Sequence, residues 1–234
     1  GGPTDTQIKT APEFQRTREN MNEFGGCAKA AKSIRVAMSE VLNGMTDPQL
    51  TGRLTSIMKK INLADGTSIR GMRTVEISLQ STYLYNFGFD KNTTFSSIFY
   101  IPFSTTHSVD RLTGTLTTVA ANPINSINAP VGATHFRLIN AIGVVSDFKY
   151  NDTTKVYEPS NAALNELSNT TYGAYMPINS PYVGENLDVS LQVGTVMTND
   201  VSVLHCIGIE FFQEVNTKYY KFSTGNCLMI DNVF

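Results

Sequence analysis

Apolar residues recur every three or four positions between Phe24 and Ile61, and from Thr74 onward the period shortens to two. The longest apolar stretch, Val201–Val215, places Val201, Val203, Ile207, Ile209 and Phe211 on one face of an extended chain and Leu204, Cys206 and Phe212 on the other. A strand that is apolar on both faces belongs inside a sheet covered from both sides. This stretch therefore predicts the central strand of a β body. Further alternating segments predict strands at residues 74–80, 83–89, 97–103, 114–119, 135–148, 187–196, 219–222 and 227–233. Turn chemistry separates them: Asp110, Asn122-Pro123, Ala129-Pro130, Asn151-Asp152, Thr198-Asn199-Asp200 and Thr224-Gly225-Asn226. Eight or nine strands at this spacing predict an antiparallel β-sandwich, Ig-like or jelly-roll-like.

The earlier part reads as helices. Asn20 with Glu23 has the form of a capping box, and Phe24, Ala28, Ala31, Ile34, Met38 and Val41 follow at helical steps up to Gly44. Asp47-Pro48 restarts a helix whose stripe is Leu50, Leu54, Ile57, Met58 and Ile61, ending at Asp65-Gly66. Residues 1–18 show neither period and contain Pro3 and Pro12, which predicts an extended arm. The expected organisation is an arm over 1–18, a helical hairpin over 19–66 and a β-sandwich over 67–234. Within the last lies a long Asn- and Tyr-rich loop, 151–186, carrying Tyr157, Tyr172, Tyr175 and Tyr182. Loops of that length are usually functional, and Tyr beside Asn suits a contact surface for protein or sugar. The opposing reading is a loop anchored by its tyrosines on its own sandwich.

Composition narrows the classes. Charged residues make up 16% of the 234, well below the roughly 25% usual in globular domains. Asn, Thr and Ser fill the gap, a tendency of extracellular β-proteins and coat proteins. No apolar run approaches the roughly 20 residues of a membrane-spanning helix. The Gly-Gly-Pro start suggests a processed product, a tag remnant or a fragment. Residues 1–73 carry 11 Lys and Arg against 7 Asp and Glu, whereas residues 74–234 carry 7 against 13, so the net charge of −2 conceals oppositely charged ends. Ends of opposite sign attract within a chain or between copies.

Chemistry was sought at each candidate side chain. The three cysteines, Cys27, Cys206 and Cys227, lack metal or redox spacing and read as buried thiols. A Cys206–Cys227 bridge requires their strands to be neighbours. His107, His135 and His205 have no second ligand at metal spacing, and no metal or cofactor is expected. His205 and Cys206 are adjacent on one strand and point to opposite faces, which excludes a nucleophile–base pair. Nucleophile elbows, phosphate-binding loops and dinucleotide fingerprints are absent. Lys29, Lys32 and Arg35 fit a solvated helix face better than a nucleic-acid contact. Asn92, Asn151 and Asn169 head N-x-Thr triplets that matter only in a glycosylating pathway.

Residues 12–73 resemble an uncharacterised family of Bacteroidota proteins that occurs in several copies per genome. The resemblance rests on Phe14 through Asn20, Glu23-Phe24-Gly25, Ala28 through Lys32, Arg53-Leu54-Thr55 and Arg70 through Arg73. It implies no enzymatic activity. It does imply a preceding strand-like segment with a Gly-Thr-Ile-Gly core, and hence maturation by loss of an N-terminal segment. Together these readings predict a non-enzymatic, extracellular or cell-surface subunit that assembles with copies of itself through its N-terminal arm and sheet edges. Ile8, Phe14, Tyr157, Tyr172, Tyr175 and Tyr182 are the candidate subunit contacts. The alternative is a glycan- or protein-binding surface module built on the loop 151–186.

Overall fold

Val201–Val215 forms one continuous strand, and every residue from Val201 to Phe212 is buried. In this computed structural model, which describes residues 2–234, three helices precede a body of antiparallel strands. The helices are α1 (Asp5–Thr10), α2 (Gln15–Ala37) and α3 (Leu50–Leu63), with single helical turns at Phe95–Ile98 and Pro123–Ser126. The strands are β1 (Phe103–His107), β2 (Thr113–Thr118), β3 (His135–Ser146), β4 (Phe148–Asn151), β5 (Val156–Pro159), β6 (Ser168–Tyr172), β7 (Met176–Pro177), β8 (Asn186–Ser190), β9 (Val201–Val215), β10 (Lys218–Lys221) and β11 (Cys227–Val233). β9 lies in the middle of a six-stranded sheet, with β3 on one side and β10 and β11 on the other. β6 and β7 extend the sheet beyond β3, while β1, β2 and β8 form a second, three-stranded sheet.

The alternation of β3 and β9 is in phase across their ladder, so each face is apolar as a unit. Ile139, Ala141, Val145, Leu204 and Cys206 face α2 and α3, where they meet Cys27, Ala30, Ile34, Met38, Leu54 and Met58. The opposite face carries Phe136, Leu138, Ile207, Ile209 and Phe211 against Leu116 of β2, and Val144 and Val203 against Val189 of β8. The order of layers is thus helices, large sheet, small sheet. Burying side chains of this size contributes roughly 1.5–3 kcal/mol each, so the two interfaces dominate the folding energy. Small residues set the helix-to-sheet distance. A Cβ on Gly143 of β3 would stand 2.1 Å from Met38 Cε and 3.1 Å from Ala37 Cβ.

Several expectations change. The segment 1–18 is not an extended arm: α1 and a 3₁₀ turn at Pro12–Phe14 occupy it, because Thr4 and Gln7 close a capping box that local periodicity conceals. α2 starts at Gln15, ahead of Asn20, and Phe24 points to solvent. Residues 74–80, 83–89 and 97–103 are not regular strands. Val75, Ile77, Leu84, Phe87 and Phe89 are buried among the helices and β11, but Asn86 takes a positive φ of 62° and breaks the alternation. Their backbone bonds form isolated bridges, as where Val75 and Phe148 exchange bonds of 2.9 and 3.0 Å, and where Phe89 N–H donates to Leu228 O at 3.1 Å. Residues 151–186 are not one loop, since β5, β6 and β7 run through them. Cys206 and Cys227 lie on paired strands but in different core layers, and all three cysteines are free thiols.

The packing of α2 over the β4–β5 hairpin has a direct test. A Cβ on Gly26 would meet the Tyr157 ring at 2.6–2.8 Å, whereas one on Gly25 meets nothing within 4 Å. Gly26→Ala is expected to destabilise by about 1–3 kcal/mol, the usual cost of overpacking. Gly25→Ala is expected to stabilise by roughly 0.5–1 kcal/mol through helix propensity. Urea unfolding of the two variants reads the difference, and equal midpoints would refute the close approach.

Candidate functional site

The N-terminal helical segment is the part of the chain least committed to its own core. α1 is locally self-sufficient: Gln7 N–H donates to Thr4 Oγ1 at 3.3 Å, Thr4 N–H donates to Gln7 Oε1 at 2.8 Å, and Lys9 pairs with Asp5 at 2.6 Å. None of its residues is buried. The helix ends where Ala11 turns extended (φ −72°, ψ 138°), the conformation that the following Pro12 favours. Beyond the turn, α2 returns Arg18 to α1, and its Nη1 donates to the carbonyls of Ile8 (2.9 Å) and Ala11 (2.8 Å). A guanidinium at a helix C-terminus satisfies orphan carbonyls and complements the dipole. Ile8 and Phe14 are half-buried.

Beside this latch lies a shallow groove of about 350 Å³, lined by Gln15, Arg18, Asn22, Ile69, Arg70 and Met72. Asn22 Nδ2 holds its far wall by donating to Gly71 O at 2.6 Å. Ile69 on the groove exposes 76% of its surface, and Met21 and Phe24, elsewhere on α2, expose 62% and 60%. Beneath the groove the helices are fastened by Glu23, which is fully buried. Its carboxylate accepts from Arg73 Nε (2.8 Å) and Nη2 (2.9 Å), Lys59 Nζ (2.6 Å) and Gly71 N–H (2.8 Å). Burial alone would raise this carboxyl. The Arg73, Lys59 and Gly71 donors outweigh it and bring it down to about 2. Its stabilisation is therefore complete above its ordinary value of 4.5 and is lost as pH falls toward 2.

The tyrosines separate into two kinds. Tyr157 and Tyr182 lie in the interior and present almost no surface to a partner. Tyr157 donates to Arg73 O at 2.8 Å, and Tyr182 bonds Thr118 Oγ1 and Glu185. Tyr172 and Tyr175 belong to a cluster on the helix-side face of the large sheet, beyond the residues that α2 covers. There the Arg137 guanidinium lies 4.0 Å over Tyr172, 5.3 Å over Tyr175 and 5.2 Å over Phe212, and its Nε donates to Glu210 at 2.6 Å. Tyr175 stacks on Tyr219 with centroids 4.0 Å apart and planes 4° from parallel, and His135 meets Tyr219 edge-on. Arg18, Arg137 and Tyr219 were not singled out in the sequence. Each depends on a chain reversal or a strand register that local pattern does not carry.

Among the described residues no group of three or more His, Cys, Asp or Glu is placed to hold a metal, and no helix is long and apolar enough to cross a membrane. The polar pair nearest to a site is His205 with Asn140, both fully buried between the sheets. Asn140 Nδ2 donates to the carbonyls of Gly114 (3.1 Å) and Leu187 (2.8 Å), so its Oδ1 is left to accept from His205 Nε2 at 2.6 Å. His205 Nδ1 then stays bare, with no partner. Phe234 lies edge-on to this ring and stacks on His107 at 4.1 Å. The pair bridges two sheets and has neither a nucleophile nor an open face. No family model, curated protein or solved structure matches the chain.

His205 makes the interlayer contact sensitive to acid. Burial, with a smaller contribution from His107, lowers its pKa from 6.5 to about 4. The folded state thus binds this proton less readily than the unfolded state. Stability from the neutral ring is complete above 6.5 and falls as pH drops from 6.5 toward 4. His205→Gln, which retains a donor for Asn140, is expected to remove this part of the pH slope in urea unfolding. An unchanged slope would refute the assignment.

Proposed function

We propose that the protein is a non-enzymatic structural subunit that self-assembles, with its N-terminal helical segment forming the contact between copies. The observation that carries this reading is α1: a six-residue helix, capped at both ends, that buries no side chain in its own chain. Helix nucleation is costly, and helices this short draw their stability from packing, so a partner surface is the economical explanation for a segment so built. The exposed Ile69 of the adjoining groove, and Met21 and Phe24 elsewhere on α2, supply apolar area of the kind found at interfaces. The proposal reads the two facing sheets as a sandwich, Ig-like or jelly-roll-like, and the helical form of the segment favours docking in a groove over strand addition. An extracellular or cell-surface setting, and a source among the Bacteroidota family that residues 12–73 resemble, complete it.

A second reading, a surface module for a glycan or a protein, rests on Tyr175, which stays 38% exposed in its stack with Tyr219. Removing Tyr175 and Tyr219 together would abolish ligand capture on that reading and leave association untouched.

Sedimentation velocity and negative-stain microscopy of the full chain, beside a chain lacking residues 1–14, test the assembly reading. The full chain is expected to form regular oligomers. The shortened chain is expected to stay monomeric with an unchanged urea midpoint, because α1 contributes no buried side chain. Oligomers that persist after the deletion would sink the proposal.

A further inference from the structure

We infer that α1 is an exchangeable segment: the site that receives it is Arg18 and the adjoining groove of a second copy of this chain. The inference rests on the assembly reading above and names its site. The side-chain hydrogen bonds that hold α1 to α2 cross a hinge. The two Arg18 bonds, to Ile8 O at 2.9 Å and Ala11 O at 2.8 Å, join α1 to α2 across the bend at Ala11 and Pro12. A contact of this kind can be made equally by the α1 of another copy, because the donor and both acceptors are unchanged. Domain exchange of an identical element is a low-cost route to association for this reason.

The hinge suits the exchange. Ala11 is already extended, Pro12 keeps it so, and the 3₁₀ turn Pro12–Phe14 contains no buried residue to be pulled from a core. Straightening residues 11–14 gives a reach of roughly 13–14 Å. The receiving Arg18 must lie within that distance, so exchange brings the first turns of two α2 helices side by side. The groove of about 350 Å³ that adjoins the receiving Arg18 also includes Ile69 and Met72.

Two full-length variants separate donor from receiver. Arg18→Ala keeps the donor helix and removes the receiving guanidinium, whereas Ile8→Asp keeps the receiver and spoils the donor. Both residues lie outside the buried core, and matching urea midpoints with the unaltered chain verify that both variants fold. Sedimentation with one variant fluorescently labelled reads association. Each variant alone is expected to associate at least about tenfold more weakly than the unaltered chain, the scale of losing charge-assisted hydrogen bonds. Their equimolar mixture is expected to form 1:1 pairs that grow no further, because each pair contains a single intact donor–receiver contact. No recovery on mixing, while the unaltered chain still associates, would overturn the exchange and leave the assembly reading standing. An Arg18→Ala chain that associates normally would overturn it likewise. An unaltered chain that stays monomeric at every concentration would remove both.

Discussion

The rest of the fold depends on the ladder between β3 and β9, twelve residue pairs from His135–Phe212 to Ser146–Val201, which is apolar on both sides. A sheet of this kind cannot stand with either face in water, so its formation dictates two further layers. The helices cover one face through α2 and α3, and the small sheet covers the other. The division of labour follows from shape. Small residues of α2 and Gly143 let a helix lie close to one face. On the far side of the small sheet, Thr113, Thr115 and Thr117 bond Ser190, Asp188 and Asn186, which gives solvent an entirely polar ladder.

Polar groups inside these layers act as fasteners. Glu23 gathers α2, α3 and the segment around Gly71 and Arg73 through one carboxylate, and each of its partners is a cation or a backbone N–H. A buried charge left unpaired would cost several kcal/mol, so this network selects a single arrangement of the helices. Asn140 and His205 do the same between the sheets. They pin one register by joining β3, β9, β2 and β8 through three hydrogen bonds. The bare Nδ1 of His205, the acceptor of its neutral ring, is the one atom of these two constellations left without a partner.

The N-terminal segment follows the opposite logic. Its structure is local, from the Thr4 cap to the Pro12 bend, and Arg18 supplies the side-chain hydrogen bonds that attach it to α2. The body is tied by buried charges, whereas this end is tied by two part-buried backbone carbonyls.

Residue pattern alone determined the central strand, which runs over Val201–Val215 as its two apolar faces require, together with the stripes of α3, the turns and the mainly β class. These features depend on neighbours within a few residues, and periodicity records them. Only the tertiary structure decided the fate of segments whose pattern admits two answers. Residues 74–103 alternate like strands, yet the positive φ at Asn86 and the crowded space between helices and β11 turn them into single bridges and 3₁₀ turns. Residues 1–18 carry no period, yet a capping box folds them. Of four similar tyrosines, Tyr157 and Tyr182 went inside and Tyr175 to the surface, because strand register and the positions of Arg73, Glu185 and Arg137 differ around them. Those positions are set by pairings between residues far apart in the chain, and no local pattern encodes them.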